Sequence, residues 1–233
     1  MARNWPTYAG CTIFVQMLMA CSGEPAQNNT AISAAPEQSN IAPAGDRKLI
    51  LAFGDSLYAG YGVAQNESFP YELEQALRTR GDAVEVRNAG VSGETTQGGL
   101  QRLAFTLDGL PRKPDLVLLG LGANDMLRGL DPAQSDRNLR AMLDILKARN
   151  LPVLLTGMLA APNMGPEYAG RFNAIYPALA KDYGIPLYPF FLEGVIGNAH
   201  YMQADSIHPN PVGIDVVVSN IAPLVADTLS SDE

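Results

Sequence analysis

The chain has 233 residues, of which 47% are hydrophobic, and its formal net charge is −8 at pH 7. A chain of this length and composition can bury one sizeable core, so a second large domain is not required. The excess of acidic residues argues against nucleic acid, or an anionic membrane surface, as a partner. No uninterrupted apolar run is long enough to predict a membrane-spanning helix.

Residues 1–21 are predicted to be a signal peptide. Arg3 gives a positive start, residues 11–20 form a short apolar segment, and Ala20 precedes Cys21. This order resembles a bacterial lipoprotein signal, in which the cysteine is lipidated and becomes the mature N-terminus. An ordinary cleaved signal peptide, or a poorly ordered N-terminus, is the alternative. We expect an exported protein, periplasmic or attached to the bacterial cell envelope, with a lipid anchor at Cys21 as its only membrane contact.

Residues 22–47 differ in composition from the rest of the chain. They are rich in Ala, Ser, Asn, Gln and Pro and contain almost no large apolar side chains. Such a segment cannot bury enough surface to offset the entropy lost on ordering, so we expect a disordered linker. Both cysteines precede it. The domain predicted for residues 48–233 therefore has neither a disulfide nor a thiol nucleophile.

From Lys48 onward, segments with strand and helix character alternate. The predicted strands, in chain order, are 48–53, 83–88, 115–121, 152–158 and 185–188. The predicted helices are 69–80, 96–108, 131–149, 168–183 and 211–229, with residues 190–198 left unassigned. Short connections between alternating strands and helices predict a three-layer α/β/α domain around a flavodoxin-like, five-stranded parallel sheet.

Ser56 follows the first predicted strand directly, after Gly54 and Asp55. In an α/β sheet, ligands bind at the carboxyl ends of the strands, so Ser56 is either a turn residue or a nucleophile. A serine that cleaves an ester needs a base to accept its proton and an acid to orient that base. It also needs donors that stabilise the oxyanion.

Only two histidines, His200 and His208, could supply the base. Asp205 precedes His208 by three residues in a loop, and positions i and i+3 of a single turn face each other. Asp205 could therefore accept from one ring nitrogen of His208 while the other faces Ser56. A solvated loop with this spacing by chance is the alternative. For His200, packing within its loop is a better explanation than a position lining the substrate pocket.

Gly90 and Asn124 follow the second and third predicted strands. Gly90 offers a backbone N–H that no side chain obstructs, and Asn124 offers an uncharged amide donor. Each could instead be an ordinary turn residue. Together with Ser56, His208 and Asp205, they supply every group that acyl transfer through a serine requires.

Motifs of other enzyme classes are incomplete. Residues 90–94 lack the final glycine of a nucleophile elbow, and residues 120–125 end in an aspartate that would repel a pyrophosphate. Two histidines without a cysteine in the domain argue against catalytic zinc. We therefore expect neither a metal nor a cofactor.

Four short blocks resemble those of the SGNH (GDSL) hydrolase family and occur in the family's order. They are Gly54-Asp-Ser-Leu57, Gly90 within residues 88–96, Gly122-Ala-Asn-Asp125 and Asp205-Ser-Ile-His208. Residues 121–129 and 172–181 are similar to the bacterial thioesterase I, lysophospholipase and arylesterase branch. The family usually has a second glycine where this chain has Ala123, a small change that should hardly move Asn124.

The resemblance implies a catalytic role for five residues. Ser56 would be the nucleophile, His208 the base and Asp205 the acid that orients it. The oxyanion hole would consist of the Ser56 N–H, the Gly90 N–H and the Asn124 side chain.

The resemblance also implies a serine esterase that hydrolyses aryl or short-to-medium acyl esters, and in addition thioesters or lysophospholipids. Substrate contacts are expected from loops at the catalytic edge of the sheet, with core packing as the alternative for each residue. These residues are Leu57, Tyr58, Met126, Leu127, Met158, Leu159, Met164 and Phe190. No segment is long enough to form a lid, which favours an open cleft. A carbohydrate O-acetylesterase is the alternative enzyme, and an inactive ligand-binding surface lipoprotein is the alternative outside catalysis.

Overall fold

The structure, a computed structural model, describes residues 47–231. The predicted signal peptide, 1–21, lies outside the described residues. So does the predicted linker, 22–47, except for its last residue.

Among the described residues, five strands form one parallel sheet in the order β2-β1-β3-β4-β5. They are β1 Lys48–Gly54, β2 Val84–Gly90, β3 Leu116–Gly120, β4 Val153–Thr156 and β5 Leu187–Tyr188. Every residue of β3 and β4 is buried, and so is all of β1 after its first residue. Such strands are covered on both faces, which accounts for their continuous apolar runs.

Within residues 47–231, eight α-helices connect or follow the strands. They are α1 Ser56–Ala59, α2 Phe69–Thr79, α3 Thr96–Asp108, α4 Ala123–Leu127, α5 Pro132–Ala148, α6 Pro166–Asn173, α7 Ile175–Tyr183 and α8 Pro211–Ser230. Short 3-10 helices occupy Gln65–Glu67 and Pro162–Met164. One group of packed helices consists of α2 with α8, and another of α3, α6 and α7 around α5. The three-layer α/β/α domain predicted from the sequence is confirmed.

The segment predicted as one helix over 168–183 is two helices, α6 and α7, separated at Ala174. Pro177 explains the break, because it has no N–H to donate to the Asn173 carbonyl and its ring would clash with that group. The Asn173 side chain accepts a hydrogen bond from the Ala160 N–H at 2.8 Å. The end of α6 is thereby tied to the loop that follows β4.

In the part of the chain that the structure describes, α8 is the one helix long and apolar enough to cross a membrane by length and composition alone. Nine of its residues are buried, and it packs against α2. The core of the domain therefore accounts for its apolar character.

The strand order reverses at β1, which has β2 on one side and β3 on the other. Ligands bind outside the carboxyl ends of the strands at such a reversal. Gly54, at the end of β1, is in register with Gly90 of β2 and with Gly120 of β3. A Cβ on Gly54 or Gly120 would lie 2.5 or 2.4 Å from the Tyr58 ring. Two of these glycines thus leave room for α1 to fold back across the end of the sheet.

Candidate active site

Ser56 is the first residue of α1, a four-residue helix where the sequence predicted only a loop. Asp55 caps the helix, because its Oδ1 accepts from the Leu57 N–H at 3.0 Å. Gly60 ends it with a left-handed φ of 81°. The Ser56 N–H therefore lies at a helix start, where backbone N–H groups have no partner within the helix.

His208 is within hydrogen-bond distance of both Ser56 and Asp205. Its Nε2 is 2.9 Å from Ser56 Oγ, and its Nδ1 is 2.7 Å from Asp205 Oδ2. The other oxygen of Asp205 accepts from the N–H groups of Ile207 and His208 at 2.9 and 3.0 Å. These contacts are the ones that a serine nucleophile, its base and an orienting acid require.

Asp205 is held in its ionised form. Burial by itself would raise the pKa of this carboxyl. Hydrogen bonds from the His208 ring, and from the N–H groups of His208 and Ile207, outweigh burial and lower the pKa to about 2. A carboxylate that stays ionised above this pH can fix the His208 tautomer and stabilise an imidazolium.

Gly90 does not line the cleft next to Ser56, so its predicted place in the oxyanion hole needs correction. Its N–H donates to Asn88 Oδ1 at 2.9 Å. A Cβ at this position would lie 2.2 Å from the Ala59 nitrogen. Gly90 therefore allows α1 to approach the end of β2, which is a packing role.

Gly93, in the loop that follows β2, lines the cleft together with Ser56 and Asn124. Its φ of 79° is in the region that favours glycine, and Arg128 Nη2 donates to its carbonyl at 2.6 Å. Its N–H has no hydrogen-bond acceptor within residues 47–231. Sequence reasoning missed Gly93 because the choice between two glycines three residues apart depends on backbone torsion. The Ser92-Gly93 pair, a turn signal, was the available clue.

Arg102 ties this loop to the sheet. Its Nη2 donates to the carbonyls of Gly54 and Ala89, at 3.1 and 2.8 Å. Its Nε is 2.7 and 2.8 Å from the two carboxylate oxygens of Glu94. Because Glu94 follows Gly93 directly, this ion pair holds the loop beside the end of β1, close to Ser56.

Asn124 belongs to α4, which follows β3, and its Nδ2 lies 3.5 Å from Asp55 Oδ2. The neighbouring Asp125 is buried and anchors the helix. It accepts from the Thr96 N–H at 2.8 Å, the Thr96 hydroxyl at 2.5 Å and the Ser135 hydroxyl at 3.1 Å. These bonds fix the position from which Asn124 reaches the cleft.

Burial raises the pKa of the Asp55 carboxyl to about 7. The Leu57 N–H opposes this shift, the charges of Glu94 and Asp125 add to it, and the Asn124 side chain opposes it. An ordinary aspartate has a pKa of 3.8. Between these values the folded protein holds a proton that the unfolded chain has released. Stability from this group is therefore complete below about pH 4 and is lost as pH rises through about 7.

We expect Asp55→Asn to remove this pH dependence, because an amide does not ionise. The unfolding temperature of the variant, minus that of the wild type, should be more positive at pH 8 than at pH 4. Thermal unfolding followed by circular dichroism across this range measures the difference. The same difference at both ends would show that Asp55 does not titrate in this window.

A cleft of about 710 Å³ opens beside Ser56 and His208, and most of its lining is apolar. Six of the residues predicted to contact substrate line it: Leu57, Met126, Leu127, Met158, Leu159 and Phe190. Tyr61, Leu192, Ile196 and Ile207 also line it, although the sequence did not single them out. They come from irregular loops, which carry no periodic pattern that would reveal their orientation.

Tyr58 and Met164, by contrast, do not line this cleft. Tyr58 is 1% exposed, and its ring packs against Phe69 and Phe191 with centroids 5.0 and 5.3 Å away. Its hydroxyl lies 2.9 Å from Thr156 Oγ1. Met164 packs against the hydrophobic core. Both residues stabilise the fold around the site, and the prediction that Tyr58 and Met164 contact substrate is wrong.

We expect Tyr58→Phe to lower the free energy of unfolding by about 1 kcal/mol, because it removes one buried hydrogen bond and keeps the ring. Thr156 retains its 3.4 Å contact with the Leu119 carbonyl. Urea unfolding measures the loss, and KM for a p-nitrophenyl ester should stay at the wild-type value. An increase in KM without a loss of stability would make Tyr58 a substrate contact after all.

Comparison with known proteins identifies the family. Residues 52–216 match the model of the GDSL-like Lipase/Acylhydrolase family. The chain belongs to this family. The resemblance stated from the four sequence blocks is confirmed.

Relatives and solved structures agree with this assignment. An arylesterase of Vibrio mimicus is 43% identical over 162 residues, which cover 70% of this chain and 80% of that protein. The thioesterase 1/protease 1/lysophospholipase L1 of Escherichia coli (strain K12) is 41% identical over 188 residues, covering 79% and 87%. The crystal structure of AlinE4, an SGNH-hydrolase family esterase, is 48% identical with a TM-score of 0.68, covering 80% and 99%. The predicted class of enzyme, a carboxylic ester hydrolase, is confirmed.

Proposed function

We propose that the protein hydrolyses carboxylic esters through an acyl-enzyme formed on Ser56. The observation that carries this proposal is the chain of contacts from Ser56 Oγ to His208 at 2.9 Å and from His208 to Asp205 at 2.7 Å, beside an apolar cleft. His208 accepts the Ser56 proton while Oγ attacks the ester carbonyl, and then protonates the leaving alcohol. In the second half of the reaction, His208 accepts a proton from water while the water oxygen attacks the acyl carbonyl. His208 then returns this proton to Ser56 Oγ as the bond between Ser56 and the acyl group breaks and the acid leaves.

Three groups are assigned to the oxyanion of both tetrahedral intermediates: the Ser56 N–H, the Gly93 N–H and Asn124 Nδ2. Support comes from the position of all three residues on the cleft. The Gly93 N–H is available, whereas the Gly90 N–H is already used by Asn88. Donors fixed in advance stabilise the charge as it develops, without reorganising during the reaction.

The proposed substrates are aryl esters and short-to-medium acyl esters. Thioesters and lysophospholipids undergo the same chemistry and belong to the proposal. The apolar cleft supports an acyl chain or aromatic ring, and the names of the relatives include arylesterase, thioesterase and lysophospholipase. A carbohydrate O-acetylesterase would need polar groups for a sugar, which this lining largely lacks. An inactive binding protein is disfavoured because Ser56, His208 and Asp205 are in contact.

A fluorophosphonate probe tests the proposal, because it reacts with a serine that has been activated by a base. Mass spectrometry should locate the probe on Ser56. Turnover of p-nitrophenyl acetate, butyrate, octanoate and laurate should exceed deacetylation of acetylated xylan. Faster release from xylan would favour the O-acetylesterase, and a protein that neither reacts with the probe nor hydrolyses an ester would be a binding protein.

We also propose that the protein is exported to the bacterial cell envelope, where it is either periplasmic or anchored by a lipid on Cys21. The support is the sequence of residues 1–21 and the polar segment that follows. Metabolic labelling with a palmitate analogue should mark the wild type and not Cys21→Ser. If the wild-type protein takes up no label and is recovered in a periplasmic extract, an ordinary signal peptide is supported instead. Protein that stays in the cytoplasm would contradict export.

A further inference from the structure

Gln203 connects the loop after the nucleophile with the loop that carries the base. Its Nε2 donates to the Tyr61 carbonyl at 2.7 Å and to the Pro209 carbonyl at 2.9 Å. Its backbone N–H donates to the His208 carbonyl at 2.8 Å. One side chain therefore joins the two loops independently of the hydrogen bond between Ser56 and His208.

Tyr61 lies against one face of the His208 imidazole. The two ring centroids are 4.5 Å apart and the ring planes are inclined by 36°. Tyr61 is 52% exposed as a residue, so burial does not hold its ring in place. Its backbone is fixed at both polar groups, because the N–H donates to the Ser56 carbonyl at 3.2 Å and the carbonyl accepts from Gln203.

Gly62 allows the Gln203 amide to reach this position. Its φ is 75°, and a Cβ would lie 2.2 Å from Gln203 Oε1. The left-handed backbone favours glycine, and a side chain at this position would displace the Gln203 amide. The bridge is therefore built into the turn that follows α1.

The catalytic cycle requires contacts that hold His208 in place without Ser56, and Gln203 and Tyr61 provide such contacts. The Ser56–His208 hydrogen bond requires a hydroxyl proton, and Ser56 Oγ has none once it is acylated. During deacylation the imidazole must keep its place while it accepts a proton from water. An aromatic face also attracts the positive charge that the imidazole then carries. The hydrogen bonds of the Gln203 side chain and the contact between the Tyr61 and His208 rings do not involve Ser56 Oγ, so acylation does not remove them.

We propose that Gln203 and Tyr61 are positioning residues that keep the His208 imidazole aligned throughout the catalytic cycle. This rests on the proposed function, since alignment affects turnover only if His208 is the base. Gln203 acts through the backbone of both loops, and Tyr61 acts through its ring.

Gln203→Ala should lower kcat for p-nitrophenyl butyrate about tenfold, because a small misplacement of the base slows every proton transfer. KM should change little, since Gln203 does not line the cleft. Gln101→Ala, at an exposed glutamine of α3, is the matched control. Tyr61→Leu should also lower kcat, and Tyr61→Phe should recover it, because the ring and not the hydroxyl covers His208.

The double variant Gln203→Ala/Tyr61→Leu should lose little more of kcat than either single variant if the two residues act as one unit.

If the wild type is active and Gln203→Ala has the same kcat as Gln101→Ala, the inference is overturned and the proposed function stands. A wild type without Ser56-dependent turnover would instead overturn the proposed function. If thermal unfolding shows that Gln203→Ala does not fold, Tyr61→Leu against Tyr61→Phe decides. Equal kcat of that pair would then reject the positioning role, and a lower kcat of Tyr61→Leu with KM unchanged would support it. A raised KM would make Tyr61 a substrate contact instead, since it lines the cleft.

Discussion

We expect Ser56→Ala to lower kcat for p-nitrophenyl butyrate by about 10⁶-fold, the loss seen when a serine hydrolase is deprived of its nucleophile. The reason is that Ser56 Oγ is the atom from which His208 Nε2, at 2.9 Å, can accept a proton. Without it no acyl-enzyme forms. The remaining rate over water would come from the oxyanion donors and the cleft.

The fold should tolerate this change, because it removes a single oxygen at the cleft. Ser219→Ala is the matched control: this serine is exposed on α8 and donates to the Asp215 carbonyl at 2.8 Å. Circular dichroism should give the same spectrum for both variants and the wild type. Turnover by Ser56→Ala at the level of Ser219→Ala would reject Ser56 as the nucleophile.

The sequence predicted the central strands from continuous apolar runs, and the long helices from the helical period of their apolar residues. The apolar run of β3 and the amphipathic pattern of α5 are examples. The helices α1 and α4 have only four and five residues, too few for a periodic signal. They nevertheless carry Ser56 and Asn124, so the local structure of the site was the least predictable part.

For the site, the types of residue in the sequence were more informative than any predicted backbone conformation. The chain has two histidines, one of them three residues after an aspartate, which suggested the pair His208 and Asp205. The four family blocks then favoured this pair over a chance spacing in a solvated loop. The proposal of Gly93 in place of Gly90 depends on which of the two residues lines the cleft with an N–H that has no acceptor among the described residues. That choice follows from a φ of 79° and from the hydrogen bond to Asn88, neither of which residue type determines.

The orientation of Tyr58 could not be read from residue type either. Because Tyr58 follows a strand at the catalytic edge of the sheet, the sequence favoured a contact between this residue and the substrate. In the folded chain, α1 turns Leu57 toward the cleft and Tyr58 toward Phe69 and Phe191. Neighbouring residues of a helix point in different directions, so an error of a single position changes a cleft residue into a core residue.

Asn124→Ala should lower kcat by about 10²–10³-fold, equivalent to about 2.7–4 kcal/mol of transition-state stabilisation. Asn124 Nδ2 is the side-chain donor assigned to the oxyanion, and no other side chain in the assignment could replace it. KM should change little, because an oxyanion donor contributes most when charge develops on the substrate oxygen.

Asn220→Ala is the matched control, since this exposed asparagine of α8 donates to the Glu193 carbonyl at 3.3 Å, on a different element from Asn124. Stability should distinguish a catalytic loss from a damaged site. Asp125, not Asn124, anchors α4 through Thr96 and Ser135, so the unfolding temperature should remain near that of the control. A rise in KM with kcat unchanged would make Asn124 a binding residue. The two backbone N–H groups would then stabilise the oxyanion alone, and the position of α4 would matter for affinity instead of rate.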